Sequence, residues 1–339
     1  MVGRFPPPGY PLLAIQLSII NFMFAPTLSA PGLTRRAALG VVATAAASRW
    51  QALAAQHNMF LSLNSVLISN RVPWPDFARL AAKIGFPGTD VDLDAAMKLG
   101  INATRDLLAE LNLRPAVMNF PVEFRKDDIT FQSGMPKLRE AAVFAAGIGC
   151  PRMMTWLMSS STTPKEELRK VYKERFTEAA RALWDANVRL GLEFLGPLHI
   201  RKQFPHEFIW HMNEMLEFCR ECGPNVGLTL DAWHWHHAGA TTEDIIHAGR
   251  DRIVNVHFDD APNLPPEQIR DDERLLPGEG VINLVGFLQA LQKIGYQDAL
   301  SVEVFGRGLK NYPPEQAAKM GLDASLQVFK KAGVKQGRP

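Results

Sequence analysis

The chain has 339 residues, 47% of them hydrophobic, with a formal net charge of +2. That length and apolar content can bury a large core, as two ordinary domains or one α/β barrel. Arg4, Arg35, Arg36 and Arg49 are the only charges in residues 1–55, so the rest carries 33 basic against 35 acidic residues, a net −2 that gives no footprint for nucleic acid.

Residues 1–55 read as a leader outside the fold. Leu33–Ala55, LTRRAALGVVATAAASRWQALAA, places paired arginines before an apolar stretch of small residues and ends in an Ala52-Leu53-Ala54 site of the A-x-A type. The segment resembles a twin-arginine export signal, with the departure that Ala37 and Ala38 follow the arginines where a bulky apolar residue is usual. Upstream, Tyr10–Leu33 is uncharged and apolar enough for a membrane span, although Asn21, Pro26 and Pro31 interrupt it. Export to the periplasm is the expected outcome, and a membrane anchor through the leader is the alternative.

From residue 56 to 335, apolar runs alternate with helical patterns. Phe60–Leu67 predicts a strand, 75–84 a helix opened by proline, Thr89–Leu93 a strand and Ala103–Leu111 a helix. Pro115–Phe120 follows as a strand, Lys137–Gly147 as a helix, Arg152–Met158 as a strand and Lys165–Ala186 as a long charged helix. Then come a strand carrying Glu193, a helix over Glu207–Cys222, a strand ending in Asp231, and a short helix over Thr242–His247. A strand carrying His257, a helix over Leu284–Ile294, a strand carrying Glu303 and a last helix over Pro314–Lys331 complete the series. Eight strand-helix pairs predict a single-domain (β/α)8 TIM barrel, whose active site lies at the C-terminal ends of the strands. An open doubly wound sheet fits less well, because no glycine-rich dinucleotide fingerprint follows the first strand.

The last four strands share one design. VRLGLEFLG, VGLTLDAWHWHH, IVNVHFDD and LSVEVFG each bring an apolar run to one ionisable residue, Glu193, Asp231, His257 and Glu303 in turn. A carboxylate at a buried strand end is unfavourable unless a cation or donor meets it. Four such ends in one barrel therefore predict convergence on one cation. His234, three residues after Asp231, can reach the same pocket.

LEFLGP with Glu193, LDAWH with Asp231 and His234, VHFDDAP with His257, RLLPGEG with Arg274 and SVEVF with Glu303 resemble, in family order, the xylose isomerase-like TIM-barrel superfamily. The resemblance is to its sugar phosphate isomerase/epimerase branch, with relatives such as tagatose 3-epimerase and inosose dehydratase. It implies that Glu193, Asp231, His257 and Glu303 hold one divalent cation, and that His234 and Arg274 touch the substrate. Three carboxylates and one imidazole form a hard, oxygen-rich set that favours manganese, magnesium or cobalt, with zinc also accommodated. Asn119 and Trp156, at the ends of the third and fourth strands, are candidate polar and stacking walls for a sugar ring.

The chemistry this implies is removal of a proton next to a ketone, through an enediolate, with Glu193 and Glu303 as acid and base. Return of the proton to carbon gives an isomerase or epimerase of a keto sugar or related polyol. Expulsion of a β-hydroxyl instead gives a dehydratase or hydratase of a keto sugar, keto-glycoside or inosose. An exported location argues for an unphosphorylated substrate. Apurinic-site endonucleases share the fold, but they need three metals and additional histidines, and here Arg274 stands where that branch has a histidine. A non-catalytic sugar-binding subunit is a further alternative. Cys219 and Cys222 lie within one helical pattern, which supports neither a zinc ribbon nor a thioredoxin site, and Trp233 and Trp235 read as packing residues.

Overall fold

Eight short parallel strands pair edge to edge until the last returns to the first. The computed structural model describes residues 58–306 and 308–337, so the leader assigned to residues 1–55 lies outside the described residues. The strands are β1 (Phe60–Leu63), β2 (Gly88–Val91), β3 (Arg114–Asn119), β4 (Arg152–Leu157), β5 (Arg189–Phe194), β6 (Val226–Asp231), β7 (Ile253–His257) and β8 (Ala299–Val302). Each pairs in parallel with its chain neighbour, and β1 closes on β8 with Phe60 opposite Ala299. This is the closed (β/α)8 barrel that the alternating pattern predicts. Among the described residues no helix is long and apolar enough to cross a membrane.

Side chains alternate along each strand between the barrel interior and the helical layer. Leu190, Leu192 and Phe194 of β5 and Leu228 and Leu230 of β6 are fully buried against helices, which leaves Glu193 and Asp231 for the interior. Below Glu193, Gly191 gives the barrel room: a Cβ there would collide with the Thr229 hydroxyl. Asp231 also caps the short helix Ala232–His237, with Oδ1 accepting from the His234 amide at 3.0 Å. Trp233 and Trp235 are buried as expected, Trp233 edge-on to His237 and Trp235 edge-on to Phe287.

Several expected boundaries move for local reasons. The first strand stops at Leu63, because Asn64 caps a 3-10 turn over Ser65–Ile68 by accepting from the Val66 amide at 2.9 Å. The helix expected from Lys137 starts at Asp128, capped by Asp127, and runs to Ile148 through Pro136. Gly100, with φ of 94°, divides Leu93–Leu99 from Ile101–Glu110 where one helix from Ala103 was expected. The helix expected from Glu207 begins at Met212, since His206–Glu207 instead pairs antiparallel with Ser160–Ser161. Cys219 and Cys222 sit in that helix as buried free thiols.

Candidate metal centre and active-site cleft

The C-terminal ends of β5, β6, β7 and β8 bring Glu193, Asp231, His257 and Glu303 together, with one ligand atom from each lying within 4.8 Å of all the others. His257 Nδ1 lies 2.9 Å from Glu193 Oε1, 3.0 Å from Glu303 Oε2 and 3.6 Å from Asp231 Oδ2. That spacing suits atoms sharing one small cation at ordinary coordination distances of about 2.0–2.2 Å. Nδ1 is the nitrogen turned toward the carboxylates; Nε2 has no hydrogen-bond partner among the described residues. Three carboxylate oxygens and one imidazole nitrogen therefore fit a divalent metal, as the sequence pattern predicts.

The charges explain each other. Burial alone would push His257 down, but the Glu303 and Glu193 carboxylates beside it hold its imidazole well above the usual range. Burial pushes the Glu193 carboxyl up, with the His257 charge opposing. Burial also acts against ionised Asp231, yet the Arg274 guanidinium and the neighbouring histidines hold it well below the usual carboxylate range. Glu303 is lowered despite burial, by His257 and then Arg274.

Arg274 is fully enclosed, at 1% exposure. Its Nη1 donates to Asp231 Oδ2 at 2.7 Å, Asp259 Oδ2 at 2.6 Å and Glu303 Oε2 at 3.2 Å, and its Nη2 donates to Asp271 Oδ1 at 3.0 Å. Burial opposes the guanidinium charge, but these acids raise its pKa further. Nη2 also lies 3.2 Å from His234 Nε2. His234 is itself buried, with Nδ1 3.4 Å from the Gly196 amide. Thus Arg274 meets the same Asp231 and Glu303 oxygens that face His257, while the His234 backbone amide holds the other Asp231 oxygen.

Two acids not assigned from sequence build the loop that delivers Arg274. Asp260 accepts from four backbone amides, those of Ala261, Gly278, Gly280 and Ile282, at 2.8–2.9 Å. It thereby ties both ends of the long excursion after β7. Asp259, fully buried, faces the guanidinium, and burial followed by the nearby Asp231 charge raises its carboxyl well above the usual range. Gly306, with φ of 73°, lets the chain after Glu303 pass the turn Asp271–Glu273; a Cβ would collide with the Asp272 carbonyl. The signal available in the sequence was the pair of aspartates in VHFDDAP, adjacent to His257.

A cleft of about 880 Å³ opens above β1 to β4 and reaches His257 and Glu303. Asn119 is exposed and lines it. Trp156 pairs in register with Glu193, is 41% exposed, and carries the Arg125 guanidinium stacked 4.0 Å above its ring. It stands beside the ligand set and outside the residues lining this cleft.

Comparison with known proteins agrees with this fold. The family profile described as xylose isomerase-like TIM barrel matches residues 78–330. An inosose isomerase of Halalkalibacterium halodurans is 26% identical over 223 residues, 65% of this chain and 77% of that protein. A 3-dehydroshikimate dehydratase of Pseudomonas putida is 31% identical over 144 residues, 42% of this chain but only 21% of that protein. Among solved structures, a xylose isomerase domain protein from Alicyclobacillus acidocaldarius superposes with a TM-score of 0.75 at 25% identity, covering 81% of this chain and 99% of that one. The zinc-bound IolI protein superposes at 0.70 with 23% identity, covering 81% and 99%, a likeness of fold.

Proposed function

Because the chain belongs to the xylose isomerase-like TIM-barrel family, we propose that it is a divalent-metal-dependent enzyme that isomerises or epimerises a keto sugar or related polyol. The observation that carries this reading is the convergence of Glu193, Asp231, His257 and Glu303 at the end of a cleft large enough for a sugar. When bound there, a divalent cation supplies Lewis acidity that stabilises the charge developing on a ketone oxygen as the neighbouring C–H loses its proton. Manganese, magnesium or cobalt suits the oxygen-rich donor set, and zinc is supported by the IolI relative.

Glu193 and Glu303 come from strands separated by β6 and β7, so they approach a bound ketone from different sides. One carboxylate takes the proton from carbon, and the other carboxyl returns a proton to the opposite face or to the adjacent carbon. Asp231 and His257 complete the donor set and keep both glutamates oriented toward it. Arg274 and the His234 backbone amide hold Asp231 in place, Asn119 offers amide contacts to substrate hydroxyls, and Trp156 stands beside Glu193 under the Arg125 guanidinium, outside the cleft lining.

A second reading is favoured by the similarity to 3-dehydroshikimate dehydratase. The same first proton removal is followed by expulsion of a β-hydroxyl, with the second carboxyl protonating it as water leaves. Product analysis separates the two: an enone chromophore marks elimination, and isomeric ketoses mark proton return to carbon. Metal analysis tests the common reading, which predicts one ion per chain, lost in Asp231→Ala. It also predicts that Glu193→Gln and Glu303→Gln each abolish turnover; unchanged turnover in both would remove the enzyme assignment.

A further inference from the structure

The cleft floor carries a carboxylate that neither the metal set nor the proton transfers use. Asp90, the third residue of β2, faces the barrel interior. Ser62 Oγ donates to its Oδ1 at 2.7 Å and Ser301 Oγ donates to the same oxygen at 2.6 Å. These serines precede Asn64 and Glu303 by two residues, so Asp90 lies one inward-facing layer below them, at the bottom of the cleft. Both hydroxyls meet Oδ1, which leaves Oδ2 as the oxygen that can meet a ligand. Burial pushes the carboxyl up to about 6, with the serine bonds pulling the other way, so the group is largely ionised at neutral pH.

Among the described residues no lysine or arginine side chain pairs with Asp90, and the His257 charge lowers its carboxyl only after burial and the serine bonds have acted. Lys137 is paired with Asp94 at 2.6 Å, and Arg125 lies 3.8 Å from Glu123. Asp92 caps the helix Leu93–Leu99 through Oδ1, at 3.0 Å from the Ala95 amide. Five acids, Asp90, Asp92, Asp94, Glu123 and Glu303, line the cleft against Arg125 and Lys137, with His257 at its end, and the two hydrogen bonds to Asp90 Oδ1 come from neutral serines. A hydroxyl donating to Oδ2 forms a charge-assisted bond in a sheltered place, whereas a phosphate or carboxylate there meets like charge.

We infer that Asp90 binds a hydroxyl of a neutral polyhydroxy ketone through Oδ2, and that the acidic wall around it rejects phosphorylated and carboxylate-bearing ketones. The inference rests on the proposed function for where the ketone lies. It adds the substrate class and the residue that selects it.

The test measures binding, without turnover, on manganese-loaded full-length protein. Calorimetry compares an inosose and a ketohexose with the monophosphate ester of each, and with 3-dehydroshikimate as the carboxylate probe. At least one neutral probe is expected to bind about tenfold or more tightly than its phosphate and than 3-dehydroshikimate. Asp90→Asn keeps an oxygen for both serines and replaces Oδ2 by a donor. It is expected to weaken the neutral probe about tenfold while tightening the anionic ones. A merely structural role would move both in the same direction. Glu123→Gln, away from the floor, is expected to tighten only the anionic probes. Preference for a phosphate or for 3-dehydroshikimate, no binding of any neutral probe, or an unaltered preference in Asp90→Asn overturns the inference. Failure of the enolising activity would leave this preference intact, so the two results are distinguishable.

Discussion

Arg274 Nη1 donates to Asp231 Oδ2 at 2.7 Å, so a buried guanidinium braces the carboxylate at the centre of the candidate ligand set. The same nitrogen reaches Asp259 and Glu303. Removing one partner of such a group leaves uncompensated buried charge, a loss of about 3–5 kcal/mol. Arg274→Met is therefore expected to lower stability by that order in chelator-treated protein, with part restored by metal. Urea denaturation with and without manganese checks this. An unaltered midpoint in chelator would show that the network contributes nothing to the fold.

Metal binding should be linked to protons. Although burial opposes its charge, His257 is held well above the usual imidazole range by Glu303 and Glu193, so metal-free protein carries its proton at neutral pH. The ligand form is the neutral ring, so loading must expel that proton, and apparent affinity should weaken up to about tenfold per pH unit lost. Titration of metal into weakly buffered protein at pH 7 is expected to release about one proton per ion. Release of none would mean that His257 is not a ligand.

Asp90 should make the metal-free fold less stable than it need be. Burial raises its folded pKa to about 6 from 3.8, so its contribution is favourable below the unfolded value and is lost as pH rises through about 6. Asp90→Asn is then expected to gain about 1–2 kcal/mol above pH 7 in chelator and nothing near pH 3. Denaturation curves at the two pH values test the sign; an equal effect at both would rule out the carboxylate charge as the cause.

Export by the leader is a further proposal, resting on Arg35-Arg36 and the Ala52-Leu53-Ala54 site. The mature chain is expected to begin near residue 55 in periplasmic material. N-terminal sequencing of that fraction checks it, and soluble protein still beginning at Met1 would contradict it.

The barrel and the convergence of the four candidate ligands were legible because each of the last strands is an apolar run ending in one ionisable residue, a pattern that survives without knowledge of neighbours. Arg274 was legible as a site residue but its placement was not. An arginine after Asp271, Asp272 and Glu273 looks solvated, and only closure of the loop by Asp260 turns it inward. Asp90 was hidden differently. Its strand is four residues long, Asp92 and Asp94 follow at the same period, and what separates it from them is contact with serines at opposite ends of the chain. The helix start at Asp128 was obscured by Gly134 and Pro136, which weaken a helical pattern locally while tertiary packing sustains it.

The defining step of the proposed chemistry is removal of a proton from carbon beside a ketone with the help of a divalent cation. Incubating manganese-loaded protein with an inosose and with ketohexoses in deuterium oxide reads that step directly, whichever product follows. Deuterium is expected at the carbon adjacent to the ketone, dependent on the cation and absent in Asp231→Ala. Glu303→Gln is expected to retain exchange on one face while losing net conversion, unlike Glu193→Gln. No deuterium uptake by any of these ketones in metal-replete protein would contradict the claim.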